Sequence, residues 1–485
     1  MSEEEVIPIP KSFTNRFPDL SEDKANKYWK RYLRVIAKHT MKPYLTLSSK
    51  RISFPYKKAR DDCSSFRYYG ARKSIWSEFG EGAGFIQLIT KGSNLTKKNS
   101  EIIIKDTRHL QHALDVQDKE EIYNLFYSDC DDNTECDVVS IDHSSLMHYI
   151  RSTEHELTKN ISNALKDTLE KNLTKAKTIK LISEYYFSKN SNYALPQRIS
   201  ESSYGRRYYK GINLQNCHKL LRKACLGKSY EYDLRTAAYV IKLIVAKNIL
   251  EKHSDYELEE FFPYTKQYIE NKQLVRDTLA KYITSYREPQ VLVKQVLTAV
   301  GFGATANSPS WSGSAIASIV RNKDERIELL KDEWLVEFIS EQKQLTTFIT
   351  DYYLMDRDFV ASIKGVEKIK NKNGKYVPKQ VMSYIFQTLE YLIMNEICEH
   401  IPQESLLLRV HDAVYTKHPI KAERMRDIKE ILAKYSPLLV LEHDNEKDVS
   451  TRYKFTKEAD DEEAQHRHFI KQEEQLAKEH FNRYQ

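Results

Sequence analysis

Two aspartates stand where a folded core has little use for a carboxylate. The stretch LLLRVHDAVYTKH (406–418) is an apolar run that breaks at His411-Asp412 and then resumes. The pattern predicts a strand over Leu406–Val410, a turn at His411-Asp412 and a return strand over Ala413–Thr416, with Asp412 at the hairpin tip. The stretch SYEYDLRTAAYVIKLIVAK (229–247) predicts a short strand ending at Asp233, with a helix directly after it. Each aspartate has an ordinary explanation. Asp233 could be a helix N-cap, and Asp412 could be one more loop aspartate, like Asp444 in LVLEHDNEK. Taken together, a strand-end and a hairpin-tip carboxylate are the oxygen donors needed by a pair of Mg²⁺ ions roughly 3.5–4 Å apart.

Two further segments carry polar groups in order. In QVLVKQVLTAVGFGAT (290–305), Lys294, Thr298 and Phe302 recur every fourth residue and share a helix face, and Gly303 ends or kinks the helix. Such a lysine can meet a triphosphate as a point charge, and such an aromatic can stack on a base or sugar. The ordinary alternatives are a solvated lysine and a core phenylalanine. In YGRRYYKGINLQNCHKLLRKACLG (204–227), Arg206, Asn213, Gln215 and Arg222 suit contacts to the minor groove of a nucleic acid, or else belong to a basic loop and helix with no partner.

The positioning elements read as follows. Residues 1–24 suggest an extended arm and 25–38 an amphipathic helix bearing Lys27, Lys30, Arg31 and Arg34. FIQLIT (85–90) and EIIIK (101–105) read as strands, and SDCDDNTECD (128–137) as an acidic loop in which Cys130 and Cys136 are a reduced pair. From 153 to 187 a helix is expected, with Leu157, Ile161, Leu165, Leu169 and Leu173 as one buried stripe. The run 192–205 reads as a linker or turn. Helices follow near 236–251, 290–301, 325–343 and 380–398, with a hairpin over 368–379 around Asn373-Gly374. In the 380–398 helix, Val381, Ile385, Leu389 and Leu392 are expected to be buried. The tail from Lys457 reads as a highly charged helix, either solvated or a partner contact.

Composition sets the class. The 485 residues are 40% hydrophobic and 30% charged, with a formal net charge of +7, which fits a soluble globular protein of several domains with a polyanionic partner. Thirty-two tyrosines beside many lysines suit a surface that stacks on bases and touches phosphates, or reflect a low-GC genome. No apolar stretch approaches the roughly 20 residues of a membrane span. The N-terminus lacks the apolar core of a signal peptide, so a cytoplasmic protein is expected. The cysteines show no zinc spacing.

The order YGRRYY…NLQN…R, YDLRTAAY, KxxxTxxxFG, VHDAVY resembles the polymerases of family A, which include Klenow-type DNA polymerases and single-subunit bacteriophage-type RNA polymerases. The resemblance covers roughly 205–416. It implies a helix-rich α+β right-hand fold with an additional N-terminal domain. Residues 1–150 would be a domain of open role, 151–200 thumb-like helices, 201–250 and 380–452 the palm, 251–379 the fingers and 453–485 a charged tail. It implies that Asp233 and Asp412 bind two Mg²⁺ ions and that Lys294 contacts the incoming triphosphate. Phe302, with Gly303, would stand where relatives carry the tyrosine that reads the sugar. His411 would touch the primer end, Arg206 and Gln215 the template or primer, and Gln387 the minor groove. Two positions depart from the family pattern. The arginine one turn before the motif lysine is Gln290, with Arg287 a further turn back as a substitute, and position 298 is Thr where the DNA enzymes carry Phe.

Family DNA polymerases place Glu five residues after the first aspartate, and the phage RNA polymerases place Gly. Here that residue is Ala238, whose methyl group leaves room for a 2′-hydroxyl, while Phe302 lacks the phenol oxygen that helps select ribose. Weak sugar discrimination is expected. The resemblance thus implies a compact RNA-polymerase-like or primase-like nucleotidyltransferase of a phage or mobile element in a bacterial host. Its partners would be a DNA template, the nucleic-acid product and nucleoside triphosphates, with a protein partner for the N-terminal domain or tail left open. The rivals are a DNA polymerase of a phage or plasmid genome and a nucleic-acid-binding protein without catalysis. No exonuclease is expected: VVSIDHSS (138–145) has an Asp after a strand but no Asp-x-Glu.

Overall fold

Apolar positions at helical spacing fill most of the chain, and helices follow them. The structure, a computed structural model, describes residues 9–46, 51–54, 56–90, 100–105, 108–115, 117–128, 134–161, 163–200, 208–251, 261–286, 288–304, 315–371 and 373–443. It is α+β and helix-rich, with small antiparallel sheets. Contacts divide the chain into two units. Of the described residues, those up to 199 and 209–228 form one, and 200, 208 and 229–443 the other. The helices over 151–199 therefore group with the N-terminal region.

The first unit holds helices α1 (Lys11–Arg16), α2 (Glu22–Ile36), α3 (Lys42–Thr46), α4 (Tyr56–Cys63), α5 (Arg108–Asp115) and α6 (Lys119–Tyr127). It continues with α7 (His143–Thr158), α8 (Asn163–Asn190) and α9 (Lys219–Leu226). Its strands are β1 (Arg51–Phe54), β2 (Ser65–Tyr68), β3 (Ala71–Ser74), β4 (Ile86–Thr90), β5 (Ser100–Ile104), β6 (Cys136–Ser140), β7 (Ala194–Ser200) and β8 (Tyr208–Lys210). They pair as β1-β5-β4, β2-β3 and β6-β7-β8. An aromatic cluster fills the N-terminal core, with Phe13 stacked on Phe79 at 3.9 Å and Trp29 on Tyr32 at 5.5 Å.

Four readings change here. The N-terminal arm is packed: Phe13 and Phe17 are buried, and α1 carries the first of them. The 153–187 helix is two helices separated at 159–162, and its leucine stripe does not stay buried. Leu173 is core but Leu165 is 47% exposed. A strict four-residue repeat advances about 40° per step around a 3.6-residue helix, so the two steps from Leu165 to Leu173 within α8 turn it by about 80°. The supposed linker over 192–205 contains β7, buried from Ala194 to Gln197 and paired with β6, Val138 opposite Pro196. Pro196 and the polar residues around it masked that strand. Cys136 begins β6 rather than lying in the acidic loop, and Cys130 is outside the described residues. Asp142, the aspartate of VVSIDHSS, is the N-cap of α7 and accepts from the Ser145 N–H at 2.9 Å.

The second unit is built on a four-stranded sheet of β9 (Tyr230–Leu234), β10 (Leu406–Val410), β11 (Ala413–Thr416) and β12 (Leu441–His443), in the order β10-β11-β9-β12. Around it lie α10 (Ala237–Leu250), α11 (Pro263–Glu270), α12 (Lys272–Ala280), α13 (Pro289–Gly301) and α14 (Ala315–Ile319). Then come α15 (Lys323–Leu329), α16 (Glu333–Met355), α17 (Arg357–Ser362), α18 (Pro378–Glu399) and α19 (Ala422–Tyr435). Tyr232, Leu234, Val414 and Leu441 join the helical core on one face of the sheet. Helix α10 is buried nearly all round, as its apolar sequence requires.

Three details differ from expectation. The 325–343 helix is α15 and α16, split where Asp332 caps α16 by accepting from the Leu335 N–H at 3.0 Å. The 368–379 segment makes one bridge, Lys370 to Tyr376, around Gly374 at φ +73°, and no longer ladder among the described residues. In α18 the buried arc runs through Phe386, Glu390, Ile393 and Ile397, so Leu389 is half-buried and Leu392 is 50% exposed, about a quarter-turn or more away. No helix among the described residues is long and apolar enough to cross a membrane.

Candidate active site

Alternation along β9 buries Tyr232 and Leu234 in the helical core and turns Asp233 to the opposite, open face, where it is exposed. The N-cap of α10 is Thr236, not Asp233. β10 and β11 form a hairpin with Val410 opposite Ala413, leaving His411-Asp412 as its two-residue loop. The same β11 pairs with β9, Ala413 opposite Asp233. The Leu234 N–H donates to the Asp412 carbonyl at 3.0 Å, continuing that ladder by one step. Asp412 is thus adjacent in the chain to the residue directly across from Asp233, on a neighbouring strand about 5 Å away. On the other side, Glu442 of β12 stands opposite Asp233 and is paired with Arg235 at 3.3 Å and Lys272 at 2.8 Å.

Both aspartates flank strained backbone. His411 has φ +55° and Thr236 φ +49°. A β-branched residue with positive φ is an outlier, and a non-glycine residue in this region costs roughly 1–3 kcal/mol. Among the described residues of this unit these are the two such positions outside glycine, and each lies within three residues of one of the carboxylates.

The face predicted for α13 is the one that meets solvent. Val293, Val296, Leu297 and Val300 are buried, while Lys294 and Thr298 are exposed and Phe302 is 44% exposed. Phe302 rests edge-on against Phe386 of α18, ring centres 5.6 Å apart. Gly303 has φ +84°, which favours glycine, and a Cβ there would lie 3.3 Å from Lys379 Cβ, which would have to give by a few tenths of an ångström. Ala238 is half-buried in the first turn of α10. Next to Phe386, Gln387 Oε1 accepts from the Tyr208 hydroxyl at 3.0 Å, and Tyr208 lies edge-on to His411 at 6.4 Å. Gln387 and His411 are therefore joined through Tyr208, which sequence reasoning passed over inside YGRRYY. Arg409 of β10 binds Asn395 and the Tyr391 carbonyl of α18 and covers the Tyr391 ring at 4.7 Å, fixing the hairpin to that helix.

Asn213, Gln215 and Arg222 belong to the first unit, and their side chains hold their own loop. Asn213 is buried, donates to the Tyr209 and Gly211 carbonyls and accepts from the Asn216 N–H. Gln215 is buried. Arg222 donates to the carbonyls of Leu214, Gln215 and Cys217 at 2.9 to 3.1 Å. Buried Gln197 of β7 accepts from the Leu214 N–H at 2.6 Å. Arg206, Arg287, Asp444 and the 453–485 tail lie outside the described residues.

The donor set at the sheet fits a hard cation. Asp233 and Asp412 offer carboxylate oxygens, and Mg²⁺ is held by one or two carboxylates with water and substrate phosphates completing its shell. No group of three or more His, Cys, Asp or Glu side chains clusters as metal ligands among the described residues. No family model and no curated protein matches the sequence.

Proposed function

We propose that the second unit is a template-directed nucleotidyltransferase that adds nucleotides to a 3′-hydroxyl. The β10-β11-β9-β12 sheet would be its palm, and α13 the fingers element that meets the incoming nucleotide. The observation that carries this reading is the pair of aspartates on adjacent elements of one sheet, Asp233 within β9 and Asp412 in the β10–β11 loop, each within three residues of a position of positive φ. Strain of this kind persists where the surrounding structure enforces it, and it clusters at functional sites.

The roles follow from placement. Asp233 and Asp412 would hold Mg²⁺, which when bound makes a hydroxyl more acidic and steadies the charge of a departing pyrophosphate. Lys294, exposed on α13, would neutralise the triphosphate as a point charge. Phe302, half-exposed and braced by Phe386, offers a ring to the base or sugar. Gln387, held toward His411 by Tyr208, offers an amide to the minor groove of the primer end. Ala238 in place of a larger side chain leaves ribonucleotides admissible.

The test is nucleotide incorporation on a single-stranded template, with and without primer, with Mg²⁺ and either NTPs or dNTPs, wild type beside Asp412→Asn. Template-dependent product lost in the variant is expected, with NTPs accepted. A preference for dATP over ATP beyond ~100-fold, about 2.7 kcal/mol, would overturn the sugar assignment. Absence of product on every template, with nucleic-acid binding intact in both proteins, would leave a binding protein without catalysis.

A further inference from the structure

Lys242 is a buried cation that the chemistry above does not use. It sits on α10 at 2% exposure, nine residues after Asp233 in the chain. Its Nζ donates to the carbonyl of Gly301, the last residue of α13, and to Gln342 Oε1 at 3.2 Å and Thr346 Oγ1 at 3.3 Å on α16. All three acceptors are neutral. The other titratable groups nearby do not pair with it. Tyr239, one turn earlier, donates to the Leu297 carbonyl at 2.5 Å, and Glu341 accepts from Tyr264 and Thr265. Lys379 lines the same small pocket and adds a like charge.

The Gly301 carbonyl is one of those a helix end leaves without an intrahelical partner, at the negative end of the helix dipole. An ammonium is the strongest donor available to it. A Cβ at Gly301 would lie 2.9 Å from the Tyr239 hydroxyl, so the glycine lets α10 pack closely against this end of α13. The next two residues are Phe302 and Gly303, which share a pocket with Lys242, Thr346, Met382 and Phe386.

We propose that Lys242 is a positioning residue for the Phe302–Gly303 turn: its ammonium pins the end of α13 to the helix that begins beside Asp233, and loss of its proton loosens the turn and weakens nucleotide binding. The inference rests on the reading of Phe302 as a nucleotide contact. Burial lowers the pKa of Lys242 to about 8, so the proton is lost within reach of ordinary conditions. The neutral amine keeps N–H donors but not the ion–dipole attraction. Because the folded pKa lies below that of the unfolded chain, this group's contribution to global stability rises as pH climbs from about 8 toward about 10.4. Positioning and global stability therefore move in opposite directions with pH, which a merely structural lysine would not produce.

The experiment follows KM and kcat for the nucleotide from about pH 6.5 to about 9.5 in wild type, Lys242→Met and Lys242→Arg. Hydrogen exchange of the 298–304 amides, corrected for intrinsic rate, is measured on the same samples. Wild type is expected to show KM rising about tenfold through pH 8, with kcat changing little and faster exchange at 298–304. Lys242→Met should show the high KM and fast exchange at every pH, and Lys242→Arg should keep the low KM above pH 8. Flat KM and exchange profiles in wild type overturn the proposal, whatever the variants do. If no template supports incorporation but the exchange step near pH 8 is present in wild type and absent in Lys242→Arg, the polymerase reading falls and the positioning role stands.

Discussion

The 213–222 loop and the sheet around Asp233 are both dense in polar side chains, yet they use them in opposite ways. Asn213, Gln215 and Arg222 turn inward, and Asn213 and Arg222 bond the carbonyls and amides of their own loop. Asp233, Lys294 and Phe302 turn outward, on backbone that the fold holds fixed and in places strained. A polar motif nominates a site, but burial decides whether the side chains serve the fold or something outside it. Residue type and spacing are the same kind of signal in both regions, and they do not separate the two.

That contrast can be broken most decisively at the carboxylates. Asp233→Asn and Asp412→Asn should each cost several kcal/mol of transition-state stabilisation, about 10³-fold in incorporation rate. Denaturant midpoints should stay near wild type, because Asp233 is exposed and Asp412 half-buried. A variant that lost stability and rate together would move that aspartate into the structural class.

The converse holds for Arg222→Ala. Removing the donor to three carbonyls should cost about 3 kcal/mol of unfolding free energy, read from urea denaturation. The slope of nucleic-acid affinity against salt should not change. A slope reduced by about one, with stability intact, would make Arg222 a phosphate contact and erase the contrast.

The smallest effect belongs to Gly303→Ala. A side chain at φ +84° costs about 1–2 kcal/mol, and Lys379 must give way by a few tenths of an ångström. The nucleotide KM should rise several-fold, and global stability should fall by about the same 1–2 kcal/mol. An unchanged KM would detach the α13 end from nucleotide binding.

Much of the site could be read from the sequence because it violates local pattern. An apolar alternation interrupted at His411-Asp412 has few explanations other than a tip, and Lys294, Thr298 and Phe302 at four-residue spacing do share the solvent face of α13. The fold was less legible where pattern misleads. Pro196 hid a buried strand, and a leucine every fourth residue promised a stripe that a 3.6-residue helix cannot keep on one side. Thr236 and His411 gave no warning of positive φ, because backbone conformation at a turn is set by the strands it joins. Lys242 had a usable signal. YVIKLIVAK is apolar on every face, so its helix had to be buried, and a lysine inside it had to find acceptors.

The sheet order has a consequence for the nascent chain. β9 emerges first but ends up between β11 and β12, and the Tyr415 hydroxyl reaches a Glu231 carboxylate 184 residues back in sequence. Asp233 therefore has no companion while the chain is being made. Asp412 comes beside β9 only after the β10–β11 hairpin has left the ribosome, and β9 gains its second flank later still. Pairing over such a span is a slow, late event in folding. A fragment released before residue 413 could fold its helices and remain chemically silent, so synthesis itself keeps the proposed reaction off until the 406–416 hairpin has emerged.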